Sequence, residues 1–137
     1  MVKNSLEFKI ILAVGYPDEP LTREEEHFKR KDIMEIANNT SPVSMAMRLA
    51  PSGMNLQPWY LYKDISSNSS VDNVDGRYHM YCVSRHLFSS MHMTDVGIAL
   101  AHIFVYANMN NLNIKFSDME HSKIPGRKYI ISAEISS

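Results

Sequence analysis

A single mixed domain of helices and strands is the fold this chain predicts, and three observations predict it. Its 137 residues suit one compact domain rather than two. Runs rich in β-branched and aromatic residues alternate with two helical patterns, in the order strand, helix, strand, strand, helix, strand. One of those helices is apolar on nearly every face, which places it in a core.

Phe8-Lys9-Ile10-Ile11-Leu12-Ala13-Val14 reads as a buried strand closed by the turn residues Gly15 and Pro17. The charged stretch Arg23 to Asp32 follows Thr22, with Glu25 three residues on as a capping box, and reads as a solvated helix or loop. Ser41-Pro42 is a firmer start, a capping hydroxyl with proline at the first helical position. Val43, Ala46, Met47 and Ala50 then line one helical face until Pro51 stops it. Ser52 to Pro58 reads as a loop, and Trp59-Tyr60-Leu61-Tyr62 as the strand that leaves it. The Ser/Asn/Asp-rich residues Asp64 to Gly76 connect to a second strand, Tyr78 to Ser84.

The apolar helix is expected from Thr94 or Asp95 to between Asn108 and Asn111, with Asp95 at the positive end of its dipole. Val96, Ile98, Ala99, Leu100, Ile103, Phe104 and Val105 predict burial on most sides. Lys128 to Ile135 closes the chain as a strand with Tyr129, Ile131 and Ala133 on one side.

Charge and composition exclude several functions. With 14 Lys+Arg against 15 Asp+Glu the net charge is -1, which does not suit a general nucleic-acid or anionic-membrane binder. Phe8 to Val14 falls well short of the ~20 residues of a spanning helix. The lone Cys82 forms no internal disulfide or cysteine metal cluster, and a reducing cytosol is the expected setting. The six histidines show no metal-ligand spacing, and no GxSxG elbow or phosphate-binding glycine loop occurs. No catalytic side chain and no metal are expected.

One segment stands apart: Ala50-Pro51-Ser52-Gly53-Met54-Asn55-Leu56-Gln57-Pro58-Trp59. Ser52, Asn55 and Gln57 gather a hydroxyl and two amides between a helix end and a strand start. Such groups donate and accept at once, as the edge of a flat heteroaromatic ring requires. They equally suit capping the helix and satisfying the turn backbone.

This segment closely resembles the APSxxNxQPW motif of FMN-dependent nitroreductases. Ala13 to Pro17 is similar to that family's strand and Gly-Tyr-Pro turn, and Asp95 to His102 to its Asp-x-Gly-x-Ala core helix. Tyr129-Ile130-Ile131-Ser132 resembles the last strand of members that fuse two homologous halves. The resemblance implies an α+β fold, an antiparallel sheet flanked by helices, forming half of a two-fold or pseudo-two-fold unit. It implies FMN as cofactor, NAD(P)H as donor and a nitroaromatic or quinone-like acceptor. Pairing with a second copy or with an N-terminal half follows from it as well. Ser52, Asn55 and Gln57 would then serve the flavin, and Trp59 would anchor their loop in the core. The family's phosphate-clamping Arg-Ser-x-Arg has no counterpart before Phe8, and Arg127-Lys128 has a different spacing. The alternative is a non-catalytic half-domain or truncated fragment that retains the fold and acts only by association.

Overall fold

The computed structural model describes residues 15–16, 18, 24–64, 73–83 and 89–137. The strand expected at Phe8 to Val14, and the capping residue Thr22, lie outside them. Trp59–Lys63 (β1), Gly76–Val83 (β2), Asn113–Ser117 (β3) and Arg127–Ser136 (β4) make one antiparallel sheet, ordered β1-β2-β4-β3. The helices are Ile33–Ile36 (α1), Pro42–Arg48 (α2) and Ser89–Met109 (α3). The fold is α+β, as the resemblance implies.

Local chemistry sets the helix starts. At α2, Ser41 Oγ accepts from the Ser44 N–H at 3.4 Å and Pro42 opens the first turn. At α1, the Asp32 carboxylate accepts from the Met34 N–H at 2.9 Å and Glu35 accepts from the Asp32 N–H at 3.2 Å. The charged stretch is thus no continuous helix but a 3₁₀ turn at Glu25–His27, an extended link and the single turn of α1. Asn38 then runs beside β1, its side chain accepting from the Lys63 N–H at 2.7 Å and donating to the Lys63 carbonyl at 2.9 Å. That contact shields an edge strand whose backbone would otherwise lie open.

The core lies between one face of the sheet and the two longer helices. Trp59, Leu61, Tyr78, Met80, Cys82, Ala133 and Ile135 come from the strands, and Val43, Met47, Val96, Ala99 and Ile103 from α2 and α3. Burying this apolar surface supplies most of the drive to fold.

Four expectations are corrected. The long helix begins at Ser89, ahead of Thr94 and Asp95, so Asp95 sits inside it rather than at its positive end. Its burial is one-sided. Val96, Ala99, Ile103 and Ala107 are buried, whereas Met93, Gly97, Ala101, Phe104 and Val105 are exposed along the opposite stripe. Composition reported apolar residues on every face but not which face had a neighbour.

Strand β3 was not foreseen, because the sequence places only a helix end at Asn108 to Asn111 and no element before Lys128. Asn111 instead takes a left-handed φ of 54° and turns the chain into an alternating edge strand. Finally, Tyr129 does not share a face with Ile131. Met80 pairs with Ile131 but Tyr81 pairs with Tyr129, so Ile130 is a bulge and the alternation slips. Tyr129 therefore lies with Tyr81 on the sheet face away from α3.

Candidate functional site

The loop that joins α2 to β1 is wound tightly. Gly53–Asn55 form a 3₁₀ turn, and Met54, Asn55 and Gln57 all adopt positive φ, at 53°, 55° and 46°. A left-handed backbone at a residue other than glycine costs on the order of 1–3 kcal/mol, and such residues cluster where ligands are held. Surrounding contacts must therefore impose this shape.

They do so from two sides. On the core side the Asp95 carboxylate, only 3% exposed, accepts from the Gly53 N–H at 2.9 Å through Oδ1. Its second oxygen, Oδ2, is buried with no hydrogen-bond partner among the described residues. A Cβ at Gly53 would stand 3.0 Å from Met91 Sδ, so glycine allows the close approach of loop to helix. Within the loop, the Gln57 N–H donates to Ser52 Oγ at 2.9 Å, and Gln57 Nε2 donates to the Asn55 carbonyl and to Asn55 Oδ1 at 3.2 and 3.1 Å.

The outer side is basic. Arg30 donates to the Leu49 carbonyl at 3.1 Å and to Asn55 Oδ1 at 3.3 Å. Asn55 Nδ2 donates back to the Lys29 carbonyl at 2.8 Å. The Lys31 N–H meets Gln57 Oε1 at 2.9 Å while its ammonium caps the Leu56 carbonyl at 2.8 Å. Arg48 Nε holds the Lys31 carbonyl at 2.9 Å and Nη1 pairs with Glu25 at 2.8 Å. Burial, and then the charge of Arg48, pull the Arg30 guanidinium below its ordinary value. Arg30, Arg48 and Lys31 thus gather on the outer side of the loop, with Glu25 paired to Arg48 and Asp95 holding the loop's core side, an arrangement that favours an anion on the outer side.

The three residues expected at a site thus come together, but they differ in what they offer. Gln57 is buried and committed to the loop and to Lys31. Ser52 Oγ accepts from Gln57 and keeps its own proton to donate. Asn55 is exposed, with one amide proton beyond the bond to Lys29 and Arg30 at its oxygen. The basic arm Lys29 to Lys31 and Arg48 escaped the sequence reading, since the charge run looked like a solvated face. Nothing but the fold shows that it wraps the loop.

An extended ring edge would find donors in Ser52 and Asn55, and an anionic group would find Arg30. The residues present therefore fit a ligand that combines a heteroaromatic ring with a phosphate, with Gln57 serving as scaffold. Among the described residues no group of His, Cys, Asp and Glu is arranged to hold a metal. No helix among them is long and apolar enough to cross a membrane.

A family model described as Putative TM nitroreductase matches residues 1–107, which include the loop, the basic arm and most of α3. No curated protein and no solved structure shows a significant match to the chain.

Proposed function

Because the chain belongs to this nitroreductase family, and is by that membership of an oxidoreductase kind, we propose that it supplies part of an FMN site. Bound there, the flavin would pass two electrons from NAD(P)H to a nitroaromatic or quinone-like acceptor. The observation that carries this reading is the left-handed loop itself, which sets the exposed Asn55 amide against Arg30 at 3.3 Å. Asn55 and Ser52 bind the ring edge, Arg30 with its lysine neighbours balances the phosphate, and Gln57 and Asp95 keep the loop in shape. Trp59, buried in β1, fixes the loop's exit. The buried, lone Cys82 accords with a cytoplasmic setting.

The exposed stripe of α3 supports assembly with a second copy or an N-terminal half, which completes the pocket. Phe104 and Val105 are 49% and 53% exposed there, adjacent large apolar side chains on the face of α3 turned away from the core. The same stripe favours the second reading, a half-domain that acts by association alone.

A flavin titration followed by fluorescence quenching separates the two, run on the chain alone and with a supplied N-terminal half. Asn55→Ala is expected to weaken FMN binding by ~1–3 kcal/mol, roughly 5- to 150-fold, because a pocket group loses its partner. Equal affinity of parent and variant removes Asn55 from the site. Absence of FMN binding in every assembly, with association retained, leaves the second reading.

A further inference from the structure

The sheet face turned away from α3 carries a cavity of about 310 Å³ that the loop chemistry does not use. Tyr81, His121, Lys123, Pro125, Arg127 and Tyr129 line it. Its wall is aromatic and fixed. The His121 and Tyr129 rings stack at 3.5 Å and 5°, and Tyr81 meets both edge-on.

Hydrogen bonds hold that wall in one arrangement. The Met119 N–H donates to Tyr129 OH at 3.2 Å, Tyr129 OH lies 2.8 Å from Ser132 Oγ, and Ser132 Oγ lies 2.7 Å from His79 Nδ1. His79 Nε2 reaches Asp64 Oδ2 at 3.1 Å. One direction satisfies every member: each hydroxyl donates toward His79, and the imidazole donates to Asp64. Asp64, His79 and Ser132 have the residue types of a hydrolytic triad, yet Ser132 is wholly buried and no substrate could reach it. The chain of bonds instead locks the Tyr129 ring. Tyr81 OH pins the covering loop through the Ser122 carbonyl at 2.7 Å. A Pro125-Gly126 turn, with Gly126 at φ 72° and the Arg127 N–H bonded to the Ile124 carbonyl at 3.2 Å, closes the rim.

The charge of the lining is one-sided. Lys123 and Arg127 are positive and no lining residue is acidic. Arg127 lies 3.4 Å over the Tyr60 ring, and its Nη1 is buried with no acceptor among the described residues. A guanidinium and an ammonium lining one cavity favour an anionic ligand from outside the chain. We propose that this cavity is a second ligand site, for a small planar anion of the aromatic carboxylate class, with Arg127 meeting the carboxylate and the His121–Tyr129–Tyr81 wall meeting the ring. The site is independent of the flavin loop.

The test is a titration of the isotopically labelled full chain with benzoate, and with benzyl alcohol as its neutral counterpart. Benzoate is expected to shift the amides of Lys123, Ile124, Arg127 and Tyr129 saturably, and to bind ~10-fold more tightly than benzyl alcohol. Arg127→Gln should weaken benzoate ~10-fold. Should that variant not fold, the exposed Lys123→Gln should weaken it ~3-fold as a lost rim charge. Shifts confined to the Ser52–Gln57 loop, no saturable shift, equal binding of benzyl alcohol, or undiminished affinity in the folded variants each overturn the proposal. Loss of FMN binding in Asn55→Ala leaves this outcome untouched, so the two readings fail separately.

Discussion

Trp59 offers the most exacting test of how the loop is anchored. It is 1% exposed at the start of β1, opposite Cys82 and in the same cluster as Val43, Met47 and Val96. A tryptophan buries up to ~250 Å², which at ~25 cal/mol per Å² sets an upper bound near 6 kcal/mol. Truncation to alanine leaves part of that area covered and opens a cavity, and such changes cost ~3–5 kcal/mol. The indole Nε1 is buried with no partner among the described residues, and a donor so left weakens the native state by ~1–3 kcal/mol. Trp59→Ala should therefore fall at the low end, ~3 kcal/mol, or roughly a 10 °C fall in Tm for a domain of this size. Trp59→Phe removes the orphaned donor with less cavity, and should cost about half as much. Thermal and urea unfolding followed by circular dichroism measure both, with the urea slope checked for constancy. A Trp59→Ala protein melting within ~2 °C of the parent would refute the argument, since that shift is a fraction of a kcal/mol.

Three further outcomes follow from other parts of the structure. Burial, reinforced by Tyr106 and Asp75 and opposed by a bond to Ser41, pushes the Tyr78 phenol up to about 12. The fold favours its protonated form, so stability should be full below the unfolded value of about 10 and be lost as pH rises through the folded one; an alkaline ultraviolet titration showing Tyr78 ionising with exposed tyrosines would contradict this. Burial likewise raises the Cys82 thiol, so alkylation at neutral pH should be slow in the native protein and fast in denaturant, with equal rates counting against a buried Cys82. Phe104→Arg on the exposed stripe of α3 should abolish association in sedimentation while changing monomer stability by less than ~0.5 kcal/mol; a compact parent monomer at micromolar concentration sinks the idea.

What was legible in the sequence was whatever local chemistry decides. Ser41-Pro42 states its own role, and Pro51 ends its helix at any tertiary cost. The β-branched and aromatic runs of β1, β2 and β4 sit within a residue or two of their expected bounds. The loop Ser52–Gln57 was recognisable because its motif is compact. Besides the early start of α3 at Ser89 and the turn at Asn111 into β3, the failures were questions about neighbours. Only Ile130's bulge against Met80 and Tyr81 shows that Tyr129 changes face, and only packing tells which stripe of α3 is bare. The basic arm reaches the loop across twenty-five residues of sequence, from Arg30 to Asn55, where no periodicity operates.

The strand order carries a cost in time. β4 lies between β2 and β3, although it follows both in sequence, so among the described strands β3 has no partner until β4 arrives. A ribosome adding ~5–20 residues per second leaves the β1–β2 hairpin alone for seconds, and isolated hairpins are marginal in water. During that interval the inner edge of β2, rich in Tyr and Met, is an open template for foreign strands. Completion of the described sheet therefore waits on β4, and a chain stalled before Arg127 lacks the strand that joins β2 to β3.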